Sequence, residues 1–165
     1  MGGQRFLVVD ACVLIDFAKA DPSIITLVSR HVGEVHVATA VFQEVQDLDP
    51  AMAASLGIKL YEPSLDMAAA AAAARGRLSF QDRLCLAIAR AEGWTCVSND
   101  KQLRAHCKVE QVPVLWEFQL LGLLVDAKAL SSTAARELAM AIADMNRHIG
   151  RAVLVRFLAK LSSKQ

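Results

Sequence analysis

With 165 residues, of which 55% are hydrophobic, the chain is long enough to close one compact core, and this composition excludes an intrinsically disordered protein. The 18 basic and 17 acidic residues leave a formal charge of +1, which excludes the overall basic field that attracts nucleic acid to a whole protein surface. Any nucleic-acid binding must therefore come from a local patch.

Neither the hydropathy pattern nor the cysteine spacing indicates a membrane or secreted protein. The uncharged stretch at residues 67–74 is mostly alanine and much shorter than the ~20 apolar residues of a membrane-spanning helix. The first residues lack both the apolar length of a signal peptide and a cleavage site after it. The four cysteines form no CxxC pair, which favours buried reduced thiols over a zinc site or disulfides. We therefore expect a cytoplasmic protein without membrane association.

The first part of the chain combines short apolar runs with helical patterns. Residues 6–9 are apolar and rich in strand formers, which predicts a central parallel strand that ends at Asp10. Apolar residues at helical spacing predict two helices, over residues 13–20 and 24–32. Residues 34–38 predict the second strand of the sheet.

A helix that bears an acidic residue is predicted after the second strand. Thr39 is placed to cap a helix over residues 40–48, and this helix would carry Glu44. A short helix over residues 51–56 and a third strand over residues 57–61 follow. The third strand would then lead into the alanine-rich segment.

Two further helices and two further strands complete the predicted sheet. Residues 64–66 begin an alanine-rich helix, and Ser79 is placed to cap the next one, with Asp82 in its first turn. Residues 95–98 predict a fourth strand, and residues 112–115 predict a fifth strand whose proline favours the edge of the sheet.

The alternation of strands and helices predicts an α/β fold with a central parallel sheet of about five strands flanked by helices. After it the pattern is wholly helical, over residues 116–125, 131–148 and 151–161. We predict a main domain over residues 1–124 and a C-terminal helical extension over residues 125–165. The extension would pack on the same domain or on a second copy of the chain.

Four acidic residues occupy positions that converge in a parallel sheet. Asp10 and Asp100 follow the first and fourth predicted strands, and ligands of such sheets collect beyond the carboxyl ends of the strands. Glu44 and Asp82 lie on the helices next to them. Each acid alone would more often be a helix cap or a solvated side chain, but their joint placement favours one shared site.

A group of four carboxylates implies a particular chemistry. Carboxylates within several ångströms of one another repel, so such a group makes physical sense around a cation, and oxygen ligands favour Mg²⁺ or Mn²⁺. An ion held there could bind a phosphodiester and lower the pKa of an attacking water. The predicted reaction is therefore phosphodiester hydrolysis, with Asp10, Glu44, Asp82 and Asp100 as metal ligands and catalytic residues.

Around these acids the chain resembles a known family. The segments VVD at 8–10, VFQEV at 41–45, LSFQD at 78–82 and VSNDKQL at 97–103 are similar to the four acidic motifs of PIN-domain nucleases. Their order and approximate spacing also match, over residues 6–124. Each motif is short, so the specificity of the resemblance comes from the ordered set.

This resemblance implies a three-layer PIN-like fold and a Mg²⁺- or Mn²⁺-dependent endoribonuclease of the toxin, VapC-like type. Its implied partners are an RNA substrate, an antitoxin protein and a second copy of the chain in a homodimer. Ser98 resembles the small hydroxyl residue that would orient water or a carboxylate, and Asn99 would fix the turn that aims Asp100. Where the family often carries Ser, Thr or Asn, this chain has Cys12, a weaker hydrogen-bonding group that could reduce activity.

Candidate RNA contacts are Arg83, Lys101 and Arg104, which follow the acids on the same predicted helices, although their pattern favours a solvated charged face. The small number of aromatic residues gives little support to a surface that stacks RNA bases. Two other functions are open: a catalytically silent PIN-like protein-interaction module, favoured by Cys12, and a flavodoxin-like domain, disfavoured because no glycine-rich loop follows the first strand.

Overall fold

The computed structural model describes residues 3–164. Within them the chain forms one parallel sheet whose strands are β1 Phe6–Val9, β2 Glu34–Ala38, β3 Ile58–Tyr61, β4 Thr95–Val97 and β5 Val114–Leu115. Their order across the sheet is β3-β2-β1-β4-β5. The prediction of a parallel sheet with the proline-bearing strand at one edge is confirmed.

Helices fill the intervals between the strands and the C-terminal part of the described chain. They are α1 Ala11–Ala20, α2 Ser23–His31, α3 Thr39–Phe42, α4 Pro50–Ser55, α5 Leu65–Ala73, α6 Phe80–Glu92, α7 Lys101–Val109, α8 Glu117–Asp126, α9 Ser132–Met145 and α10 Arg151–Ser162. None of the helices in residues 3–164 is both long enough and apolar enough to cross a membrane.

The helices form a layer on each face of the sheet, which gives the predicted three-layer α/β architecture. On one face α6 packs against β1 and β4 and contacts α5 and α7. On the other face α2 packs against β2, and α1, α8 and α9 contact one another around it. This division follows from the right-handed crossovers of a parallel sheet. The chain crosses the sheet in one direction from β1 through β2 to β3, and in the opposite direction from β3 through β4 to β5, so the connecting helices lie on opposite faces.

The central strand β1 explains why the site forms where it does. Leu7 and Val8 are fully buried, as expected of a strand covered by helices on both faces. Val9 of β1 lies in register with Val97 of β4, so the two strands end side by side. The chain runs from β1 to one side of the sheet and from β4 to the other, and ligand crevices of α/β sheets form at such a switch point.

One predicted element differs from the structure. The helix predicted over residues 40–48 is only one turn long, and Glu44 lies in the turn that follows it. Its capping residue is Ala38 instead of Thr39, whose hydroxyl donates to Glu62. The backbone tightens because the amides of Glu44 and Val45 bond to carbonyls three residues back. The buried residues Val41, Phe42, Val45 and Leu48 mimic helical spacing while the chain only turns across the core.

The C-terminal extension packs on the same chain. Helix α9 contacts α1 and α8, and α10 contacts α9 and closes against the core through Phe157, whose ring centroid lies 4.9 Å from that of Phe118. The boundary predicted after residue 124 falls in the last turn of α8, so the elements of the extension itself begin with α9. Exposed apolar side chains remain on it at Met140, Met145 and Val155.

Candidate functional site

Asp10 lies at the centre of the candidate site, directly after β1. Its backbone amide donates to the carbonyl of Val97 at 2.9 Å, which holds it beside the end of β4. One carboxylate oxygen accepts the backbone amide of Ala11 at 2.8 Å, and the other accepts the Ser98 hydroxyl at 2.9 Å. With 7% of its surface exposed, the side chain is fixed in position while keeping a path to solvent.

Ser98 connects two of the acids. Its buried hydroxyl donates to Asp10 and accepts the backbone amide of Asp100 at 3.0 Å. The Asp100 carboxylate in turn caps α7 by accepting the amide of Leu103 at 2.8 Å. The hydroxyl of Ser98 thus connects the Asp10 carboxylate to the backbone just before α7, and its role in orienting water or a carboxylate stays a prediction.

Asn99 makes a tertiary contact that the sequence did not indicate. Its side-chain oxygen accepts the backbone amide of Glu117 at 3.1 Å, so it links the turn before Asp100 to the first residue of α8. The turn that aims Asp100 is therefore supported by a tertiary contact as well as by local geometry.

Asp82 and Glu44 approach the crevice from neighbouring segments. Asp82 lies in the first turn of α6 in a capping box: its amide donates to the Ser79 hydroxyl, and its carboxylate accepts the amide of Ser79. Glu44 is exposed in the turn after α3. Of the four acids, Asp10, Asp82 and Asp100 therefore lie at helix N-termini, where the helix dipole favours negative charge.

The pKa values of two of these carboxyls show that the four acids share one electrostatic environment. Burial raises the pKa of Asp82, and the charges of Asp10 and Asp100 raise it further. Partial desolvation of the exposed Glu44 side chain also raises the pKa of its carboxyl, with added contributions from Asp10 and Asp82. We call these four residues the acidic crevice.

The acidic crevice is not a preassembled coordination sphere. Within residues 3–164, no group of three or more His, Cys, Asp or Glu side chains is close enough together to hold a metal ion. The donor set itself consists of carboxylate oxygens, the ligands of Mg²⁺ and Mn²⁺. Mutual repulsion among unneutralised carboxylates keeps such groups apart, and the exposed Glu44 is free to change rotamer.

Cys12 lies at the position where PIN-domain motifs often carry Ser, Thr or Asn. Its thiol donates to the Asp10 carboxylate at 3.3 Å, so the hydrogen bond is retained with a weaker donor. Burial raises the pKa of this thiol far above its usual value, and the charge of Asp10 adds to the effect. Cys12 is therefore a neutral hydrogen-bond donor and not a nucleophile. The other three cysteines are buried free thiols.

A second pair of acids lies behind the crevice and was not identified from the sequence. Glu117, at the start of α8, is fully buried, and burial followed by the charge of Asp16 raises its pKa to about 9. Asp16, in α1, is also buried and accepts the side-chain amide of Asn146 at 2.8 Å. The proton that Glu117 retains lets the two carboxyls lie together, and we call them the buried acid pair.

The three candidate RNA contacts have different surroundings. The Arg83 guanidinium donates to the backbone carbonyls of Ala71 and Gly76, so it links α6 to the last part of α5 and to the loop that follows α5. Lys101 and Arg104 instead line a surface groove beside α7. Arg83 therefore has a structural role, whereas the side chains of Lys101 and Arg104 line the groove.

Two signals for the missed residues were present in the sequence. Glu117 is an acid inside a strongly apolar helix, and Asp16 is one inside the apolar pattern of α1. An acid on an apolar helix is normally solvated or paired, and only the packing of α1, α8 and α9 shows which.

Comparison of the chain with family models, curated proteins and solved structures finds no match. The resemblance to PIN-domain nucleases therefore depends on the four ordered motifs.

Proposed function

We propose that this protein is a Mg²⁺- or Mn²⁺-dependent endoribonuclease that hydrolyses RNA phosphodiester bonds at the acidic crevice. The observation that carries the proposal is the electrostatic coupling of Asp10, Glu44, Asp82 and Asp100 at the switch point of the sheet. Acids whose charges raise the pKa of a neighbouring carboxyl at the carboxyl edge of a parallel sheet are typical of a cation-binding active site.

In this proposal Asp10, Asp82 and Asp100 are the principal ligands of the ion, and Glu44 either completes the set or positions water. The bound ion would supply Lewis-acid activation of water and charge neutralisation at the phosphate. Three ligands are held by capping bonds at the starts of α1, α6 and α7, so their positions are fixed by the backbone. Glu44 lies in an exposed turn and can adjust to the ion.

The residues around the ligands have supporting roles. Ser98 holds the carboxylate of Asp10 and the backbone of Asp100 at once, so it fixes the separation of two ligands. Cys12 donates a weaker hydrogen bond to the same carboxylate oxygen as Ser98. With the Ala11 amide on the other oxygen, these bonds occupy three of the about four acceptor positions of the Asp10 carboxylate and leave one, on that other oxygen, for a ligand.

The biological setting follows from the resemblance. A cytoplasmic toxin of a toxin–antitoxin module would act as a homodimer and be neutralised by an antitoxin protein. The exposed apolar side chains Met140, Met145 and Val155 on the C-terminal extension support a protein contact there. Light scattering of the purified chain tests the homodimer: a dimer mass for the parent, and a monomer mass for Val155→Glu, are the expected results.

Thermal unfolding tests the cation site directly. Specific binding to the folded state raises the unfolding temperature by mass action. Excess Mn²⁺ should raise it for the parent chain and not for Asp10→Asn, in which the central ligand is lost while the cap and the Ser98 contact can remain. Cleavage of a labelled RNA should follow the same pattern. Equal cleavage by parent and variant, from preparations free of other nucleases, would refute the proposal.

A second candidate function is a catalytically silent PIN-like interaction module. Two observations favour it: within residues 3–164 the acids do not form a ready coordination group, and Cys12 replaces a stronger donor. This candidate predicts no unfolding shift with Mg²⁺ or Mn²⁺ in either protein. The thermal experiment therefore separates the two candidates before any RNA is identified.

A further inference from the structure

A surface groove of about 610 Å³ lies between α7, α8 and α10. Its volume is within the ~300–1,000 Å³ of ordinary ligand sites. One wall is formed by the C-terminal extension, which the four acidic motifs do not include. The acidic crevice therefore does not account for this groove.

The groove is strongly basic although the whole chain is nearly neutral. Among residues 3–164 its lining holds five cationic side chains and one carboxylate, that of Asp126; the cations are Lys101, Arg104, Arg156, Lys160 and Lys164. Lys164 pairs with Asp126 at 2.6 Å, and among residues 3–164 the other four form no ion pair. This is the local basic patch that the balanced composition requires for nucleic-acid binding.

The cations are arranged along the groove. Arg156 and Lys160 lie four residues apart on α10, so they project from one helix face about 6 Å apart. Lys101 and Arg104 lie three residues apart on α7, on the opposite wall. Two rows of cations that face each other across a groove suit the regularly spaced charges of a polyanion.

An aromatic residue lies on the wall of the groove near Arg104. Trp116 is half-buried, and the Arg104 guanidinium lies 5.9 Å from the centre of its ring. Behind it the ring of Phe118 supports Trp116 at 5.0 Å between centroids. Arg104 is half-buried, and within residues 3–164 its buried Nε has no hydrogen-bond partner. Bases of single-stranded RNA stack on both aromatic rings and arginine planes.

The groove lies next to one of the four acids along the chain. Lys101, which lines the groove, immediately follows Asp100, the capping residue of α7. The lining continues along α8 and α10 to Lys164, just beyond the end of α10. The groove and the acidic crevice are therefore neighbours at Asp100 and Lys101.

We propose that this groove binds single-stranded RNA, with phosphates against Lys101, Arg156 and Lys160 and a base against the guanidinium of Arg104, which lies over Trp116, so that the strand passes beside Asp100. The role as a substrate channel depends on the proposed nuclease function, whereas binding of the strand does not. An acidic protein segment would also be attracted by the cations, but it would not use the aromatic and guanidinium surfaces.

Binding is measured by fluorescence anisotropy of a short fluorescein-labelled oligouridylate in chelator, so that neither metal nor cleavage is needed. The groove variant Arg156→Glu/Lys160→Glu is compared with Arg147→Glu/Arg151→Glu, which changes the charge equally at exposed residues outside the groove. The groove variant should bind roughly tenfold or more weakly. Its logarithmic salt slope should fall by about 1.4, for two lost phosphate contacts on a single strand. The control should stay within roughly twofold of the parent.

Tryptophan fluorescence tests the stacking contact. The chain has two tryptophans, so Trp94→Phe leaves Trp116 as the single reporter. Oligouridylate should quench its emission at the concentrations that saturate anisotropy. Three results would overturn the proposal: equal losses in both charge variants, no quenching of Trp116, or competition by polyglutamate as effective as that of RNA. RNA binding by a parent chain that never cleaves would instead retain the groove and reject the nuclease function.

Discussion

The molecule holds two groups of carboxylates, the acidic crevice and the buried acid pair, and they differ in how their charge is accommodated. Three crevice acids cap helices and reach solvent, so backbone amides and helix dipoles stabilise their ionised forms. Glu117 of the buried pair has no access to solvent, and it retains a proton to a pH of about 9.

This difference shows what makes a group of acids suitable for a cation. In each group burial and then the charge of a neighbouring acid raise the pKa of one carboxyl: Asp10 acts on Asp82, and Asp16 acts on Glu117. In the acidic crevice the carboxylates still repel one another, and a bound divalent ion would offset this repulsion. In the buried acid pair the proton on Glu117 already removes the repulsion. Cys12 lies between the two groups, donating to Asp10 and close enough to Glu117 for that charge to affect its pKa.

The largest expected effect is that of Asp82→Asn in the acidic crevice, where the difference in unfolding temperature from the parent should change sign when Mn²⁺ is added. Burial and the charge of Asp10 raise the pKa of the Asp82 carboxyl, so its ionised form destabilises the fold. Asp82→Asn removes this negative charge, and in chelator at neutral pH the variant should therefore unfold at a higher temperature than the parent. In excess Mn²⁺ the order should reverse, and RNA cleavage should fall roughly 100-fold or more. Asp66→Asn, an exposed acid in the first turn of α5, is the matched control and should show neither effect.

A variant that unfolds at a lower temperature than the parent in chelator would contradict the repulsion. One that still gains stability from Mn²⁺ would remove Asp82 from the ligand set.

The buried acid pair should produce a pH dependence of stability. Between its ordinary pKa of 4.5 and about 9, Glu117 keeps a proton in the folded state that the unfolded chain has lost. Stability should therefore fall as pH rises through this window, by up to about 1.4 kcal/mol per pH unit. Glu117→Gln should flatten the slope, as measured by urea unfolding across the window.

The surface variant Glu137→Gln serves as the control for this slope, because Glu137 is exposed on α9. A Glu117→Gln protein with the same pH slope as the parent would show that Glu117 is ionised in the fold.

The contact between α1 and the end of α9 should have a smaller effect. Asn146→Ala removes the 2.8 Å hydrogen bond to the buried Asp16 carboxylate, which should destabilise the chain by about 1–3 kcal/mol in urea unfolding. Arg147→Ala, at the exposed neighbouring position, should change stability by no more than about 0.5 kcal/mol. A single unfolding transition is expected for both, because the extension packs on α1 and α8. Equal stability of the two variants would contradict a structural role for the Asn146 contact.

The smallest expected effect concerns Cys12. Cys12→Ser keeps a donor to Asp10 and makes it stronger, so cleavage should rise by roughly two- to fivefold. Cys12→Ala, which removes the donor, should lower it. Initial rates of cleavage at saturating Mn²⁺ provide the measurement. If serine and alanine give the same rate, the thiol has no part in positioning Asp10.

Much of the fold could be predicted because its signals are local. Strands β1 and β2 agree with the predicted ranges, and Ser79 caps α6 as its position indicated. The helix predicted around Glu44 was wrong, because buried residues in a tight turn imitate helical spacing. Trp116 was not singled out from the sequence, since composition counts aromatic residues without showing which of them line a groove.

By itself the sequence determined the order of strands and helices along the chain, the Ser79 cap of α6, and the placement of acids after β1 and β4, because these depend on neighbours a few residues apart. Only the tertiary structure decided which acids are paired and which face a groove. Asp16, Glu117 and Asn146 are brought together by the packing of three helices, and the basic groove needs α10 to close it. Burial and charge are properties of this long-range packing, and the pKa of an acid is set by what surrounds it in space.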